Sequence, residues 1–124
     1  MQLFGVLNEV LLAPHFGSLR TNQVVLTPER MEHIRETHPL DVSLLLLHGM
    51  DLVAKPDIIL LDKKNADTIL MIKRLPDTNL NVVIRLALAS DPSERMNSIM
   101  TFFRLRGKNL QKMIKRQKTL YKAE

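Results

Sequence analysis

KPDIILLDKKNADTILMIKRLPDTNLNVVIRLALASDPSERMNSIMTFF, residues Lys55 to Phe103, reads as four consecutive β-strands. They are Asp57 to Leu61, Thr68 to Lys73, Leu80 to Ala89 and Met96 to Phe103, each of strand length and rich in apolar or β-branched residues. The gaps hold Lys63-Lys64-Asn65-Ala66, Pro76-Asp77-Thr78-Asn79 and Ser90-Asp91-Pro92-Ser93, all with turn-forming side chains. None is long enough for a helical crossover, so the predicted path is a four-stranded antiparallel meander.

Helical patterns flank the meander. Upstream, Thr27 is an N-cap, Pro28 suits the first helical position, and Glu29 favours the positive end of the helix dipole. This first confident helix, Pro28 to Thr37, carries a narrow apolar stripe of Met31 and Ile34. Pro39 disfavours helical geometry at His38, placing that ring at the helix end. Asp41 is expected to cap a second helix, Val42 to about Val53, whose Leu44-Leu45-Leu46-Leu47 block predicts deep burial. Downstream of Gly107, Leu110, Met113, Ile114, Gln117 and Tyr121 trace an amphipathic helix. Residues 1–20 carry two readings: a short helix from Leu3, Val6, Leu7, Val10 and Leu11 ending before Pro14, or a loosely docked leader. Asn22 to Leu26 is read as a short edge strand.

The expectation is therefore an α+β fold: N-terminal helices on a four-stranded antiparallel sheet, with a basic C-terminal helix. At 124 residues the chain makes one domain, residues 21–124, after the leader. Strand alternation divides the sheet into two faces. The row Val82, Ile84, Leu86 and Leu88 is continuous and apolar, so it should meet the helices. Arg85, and with it Lys73, then falls on the open face. A mid-strand arginine is costly unless it meets water or an anion, leaving a structural ion pair and an anion-binding role as equal alternatives.

Composition narrows the chemistry. Without cysteine there is no disulfide, thiol nucleophile or thiolate metal site, which fits a reducing compartment. The run Leu3 to Leu12 is interrupted by Asn8 and Glu9 and makes a poor signal peptide, and no run reaches membrane-spanning length. His33 and His38 lie about 140° apart around an ideal helix, which does not suit two imidazoles gripping one ion. No metal or cofactor is expected. Gly-rich phosphate loops and nucleophile elbows are missing as well. The net charge is +5, and the segment Arg104 to Lys122 holds Arg104, Arg106, Lys108, Lys112, Lys115, Arg116, Lys118 and Lys122 with no acid. Such a field attracts polyanions, although a solvated basic helix needs no partner. What remains suits metal-free RNA cleavage: histidine as base or acid, arginine and lysine for phosphate charge, and hydroxyls as donors.

Thr27-Pro28-Glu29-Arg30-Met31-Glu32-His33-Ile34 running into Thr37-His38-Pro39, the Lys55-Pro56-Asp57 turn, the Asn97-Ser98-Ile99-Met100-Thr101 strand and the Leu120-Tyr121 ending occur in an order with a family parallel. Together they resemble the phage-type members of the barnase, EndoU, colicin tRNase and RelE-like (BECR) nuclease superfamily, over about residues 20–122. The resemblance implies helices on an antiparallel four-stranded sheet with an RNA site on its open face. It also implies a metal-independent endoribonuclease, of toxin or phage-conflict type, cutting by 2′-hydroxyl transesterification. Carried over by position, His38 is the first candidate for acid or base and His33 the second. Arg85 would stabilise the phosphate, with Ser98 and Thr101 as polar catalytic groups. Lys73, Asn97, Arg104, Arg106, Lys112, Lys115 and Arg116 would contact RNA. Ser98 and Thr101 fall on opposite faces of a regular strand, so a shared site requires a bulge. Tyr121 packs in the core or closes over the site. Expected partners are an RNA substrate, tRNA among the candidates, and an acidic immunity protein or antitoxin, in the cytoplasm, which the domain could also reach by delivery into a target cell as part of a larger protein; no membrane is involved. The rival expectation is a non-catalytic RNA-binding or protein-interaction module of the same fold.

Overall fold

The computed structural model describes residues 2–123; Met1 and Glu124, the two ends of the expected leader and domain, lie outside the described residues. The meander is present as β3 (Ile58–Leu61), β4 (Thr68–Arg74), β5 (Asn79–Arg85) and β6 (Asn97–Leu105), each antiparallel to the next. It is the middle of a larger sheet. β1 (Gln2–Val6) and β2 (Gln23–Leu26) extend it past β6, and β7 (Thr119–Lys122) extends it past β3. The order is β1-β2-β6-β5-β4-β3-β7, and β2 runs parallel to β6. The expected four-stranded antiparallel sheet is thus corrected to a seven-stranded mixed one.

Both added edges were misread for physical reasons. Over five residues a helical and a strand period fit the same apolar set, and tertiary pairing with β2 decides for the strand. Gly5, a poor helix residue, faces Val53 and Met50 across that strand. Pro14 does not end a helix; it opens the short α1 (Ala13–Phe16). At the other end, the helical register projected through Tyr121 breaks at Gln117, whose backbone is extended. Leu61 N then donates to Lys118 O, and the chain joins the free edge of β3.

α2 (Pro28–Thr37) and α3 (Val42–Ala54) have the expected bounds to within a residue, and Thr27 Oγ1 accepts from Arg30 N. They pack on one sheet face against Val82 and Ile84, of the row foreseen to meet helices, and against Ile69, Met71, Ile99 and Phe102. Tyr121 joins this core. The leucine block is only partly buried: Leu45 is fully enclosed, while Leu46 and Leu47 are 63% and 75% exposed. Four successive helical residues point all round the axis, and α3 is covered on one side only. Asp41 stands at the N-cap of α3, as expected, but its side chain makes no capping hydrogen bond. It is buried in the 3-10 turn Pro39–Asp41, and its two carboxylate oxygens accept from Arg104 N and Arg104 Nε at 3.0 and 2.6 Å. A charge-assisted pair outcompetes a backbone cap there.

The second face is not open along its length. α4 (Gly107–Arg116) lies on it, pressing Leu110, Met113 and Ile114 onto Ile58, Leu60, Leu70, Ile72 and Leu105. The half nearer Ser98 and Arg85 stays uncovered.

Candidate functional site

Arg85 ends β5 on the second face, with Thr68 of β4 on one side and Ser98 of β6 on the other. Among the described residues it takes part in no salt bridge, and its Nε is buried without a hydrogen-bond partner. Of the two readings open for Arg85, the structural ion pair is therefore not formed among the described residues.

The strand beside it carries the bulge that a shared site requires. Val83 pairs with Thr101 and Ile84 with Ile99, so Met100 is an extra residue in β6. One extra residue reverses the side-chain parity across it. Ser98 and Thr101, opposite on a regular strand, therefore face the same way as Arg85. Thr101 Oγ1 is buried without a partner, and the Ser98 hydroxyl has only the Met100 sulfur at 3.9 Å. Asn81, fully buried on the same face and opposite Phe103, also leaves both amide atoms unpaired. The sequence reading missed Asn81, although its period-2 position in line with Arg85 could have flagged it.

His38 sits at the C-terminal end of α2, as expected, half-buried with its ring 5.3 Å from that of Phe103. Phe103 is opposite Asn81, four residues from Arg85, or about 13 Å along the strand. The imidazole, carried by a helix of the opposite sheet face, and the guanidinium therefore do not share a cleft. His33 is exposed, and its carbonyl accepts from Thr37 Oγ1; it does not join the site.

Lys73 lies in the row of Ile69 and Met71, on the helix side, which corrects its open-face placement. Its ammonium meets Asp51 at 3.0 Å and donates to Lys55 O. That hydrogen bond and charge hold the Asp51 carboxyl below its usual value. The long lysine stem lets the charge escape the core at the end of the strand. Asn97 is also corrected: it is fully buried, its Oδ1 accepts from Ala87 N, and its Nδ2 donates to Thr21 O and Gln23 O. It clamps the parallel β2 to β6 and has no group left for RNA. Arg104 is tied to Asp41 at the free edge of β6, and Arg106 is exposed just before α4. Lys112, Lys115 and Arg116 are exposed on α4, outside the uncovered half.

Two clefts of about 400 and 320 Å³ open on either side of Arg85. A larger cleft, about 640 Å³, is on the other face between β1, α2 and α3; it is mainly apolar, and Arg35 is the one charged side chain in its lining. Among the described residues no three imidazole or carboxylate groups converge as metal ligands, and no helix is long and apolar enough to cross a membrane. No protein-family model, curated protein or solved structure matches the chain.

Proposed function

We propose that this protein is a metal-independent endoribonuclease of the cytoplasm, holding an RNA phosphodiester on Arg85. The observation that carries the reading is the unpaired Arg85 guanidinium on the uncovered sheet face, with Ser98 and Thr101 brought to the same side by the bulge at Met100. A planar, permanently charged fork suits two phosphate oxygens and the extra charge of a pentacoordinate transition state. The hydroxyls supply further donors. His38 serves as acid or base for the 2′-hydroxyl or the leaving oxygen, reached by RNA lying along β6 from Ser98 toward Phe103. A toxin of this kind would be held by an acidic immunity protein or antitoxin.

A second reading is favoured by one observation, the roughly 13 Å of strand between the Phe103 position and Arg85. It makes the protein a non-catalytic RNA-binding module. Incubating purified protein with total RNA in excess EDTA separates the two. The nuclease reading expects discrete cuts ending in 2′,3′-cyclic phosphate, reduced at least about 100-fold by His38→Ala with RNA affinity kept, and lost in Arg85→Ala. RNA that is bound but uncut in every condition selects the module. Protein that neither binds nor cuts RNA overturns both.

A further inference from the structure

Arg85 is not the sole cation at the uncovered face. Arg95 comes from the loop between β5 and β6, and these two arginines are the residues common to both flanking clefts. The loop is well anchored. Arg20 donates to Ala89 O and Asp91 O, Leu88 N donates to Asp91 Oδ2 at 2.7 Å, and Arg95 N donates to Pro92 O at 3.0 Å. At its tip the guanidinium of Arg95 is balanced but not bonded: Nη1 is 3.9 Å from both Asp67 and Asp91 carboxylates. That is beyond hydrogen-bond range, so its donors remain available to a ligand.

The clefts differ in chemistry. One is lined by Asp62, Asp67 and Asn65 beside Thr68. Carboxylates there repel a second phosphate but accept from sugar hydroxyls or exocyclic amines. The other has Val25, Met96 and Pro92 as apolar walls, with Thr27, Ser98 and the carboxylate of Glu94 as polar groups. Such walls accept the flat face of a base. A single anion on the two arginines would have on each side a compartment that holds no further cation.

We infer that Arg85 and Arg95 form one phosphodiester clamp, and that the two clefts take the nucleosides on either side of that phosphate. The minimal ligand is then a dinucleotide step of single-stranded RNA. This rests on the phosphate reading of Arg85 and adds a second arginine and a two-sided ligand.

The test is binding of a labelled 2′-O-methyl RNA tetranucleotide, which resists 2′-hydroxyl cleavage, measured by fluorescence anisotropy across a salt series. Arg85→Gln and Arg95→Gln should each weaken binding roughly tenfold, and each should lower the salt slope by about 0.7. A neutral methylphosphonate at the central linkage should abolish both effects. Asp91→Asn, at a residue that lines neither cleft, keeps an oxygen for Leu88 N, releases Arg95 from a carboxylate and should leave affinity unchanged or raised, a sign that general damage to the loop does not produce. An abasic unit on either side of the central phosphate should weaken binding. If Arg85→Gln weakens binding while Arg95→Gln does not, the clamp is wrong and the Arg85 phosphate site survives. If neither variant matters, both fall. Sensitivity to an abasic unit on one side only would overturn the two-sided ligand.

Discussion

Asn97 and Arg85 lie close together, yet burial gives them opposite roles. Asn97 has every polar atom engaged, with three bonds reaching Ala87, Thr21 and Gln23. Arg85 has a buried Nε and nothing bonded to it. The first is a fastening; the second is a donor without a protein acceptor, and a fully buried donor left so costs about 1–3 kcal/mol. Asn97→Ala strips partners from three backbone groups and should destabilise the fold by about 2–4 kcal/mol in urea denaturation. A loss under about 1 kcal/mol would show that the clamp is dispensable. The sequence offered Ser98 as a catalytic group and its neighbour Asn97 as an RNA contact. Only the parallel pairing of β2 with β6 turns the amide inward to two carbonyls of the preceding segment.

At the scale of elements, two local irregularities set the geometry. The bulge at Met100 unites Ser98 and Thr101, and a strand register is not readable where one residue is surplus. The other is the contact between β1 and α3 at Gly49. A Cβ at this position would meet the Phe4 ring at 2.3 Å and Leu45 at 3.1 Å. Two opposing terms apply to Gly49→Ala: helix propensity gains about 1 kcal/mol, and overpacking costs about 1–3 kcal/mol. The net result should be destabilising in the native background. With Phe4→Ala the obstruction goes, and Gly49→Ala should become stabilising by up to about 1 kcal/mol. Thermal denaturation of the four proteins in this cycle reads the sign directly; the same sign in both backgrounds would mean that Phe4 does not limit the space at Gly49.

For the whole molecule, charge and coverage are distributed together. The chain carries +5, and α4 holds Lys112, Lys115 and Arg116 exposed beside the uncovered half of its sheet face. Changing these three to Gln should weaken RNA binding and reduce the salt slope by up to about 2, since each lost contact with a single strand contributes about 0.7. An unchanged slope in the salt titration would remove α4 from the RNA path. Much of this arrangement was legible beforehand: the meander, α2, α3, the side of the sheet that holds Arg85, and the helix-end position of His38. Those features follow from short-range causes, namely strand alternation, turn chemistry and a proline that sets its neighbour's backbone. The seven-stranded sheet, the inward Asn97, the outward Leu46 and Leu47, the helix-side Lys73 and the presence of Arg85 and Arg95 in the same two clefts were not. Each depends on which surface another segment covers, and coverage is decided by contacts between residues far apart in the chain. Read alone, the chain yields the meander, α2, α3 and the chemical inventory; tertiary contacts decide which edges are paired and which polar groups are satisfied, because both depend on segments far apart in sequence.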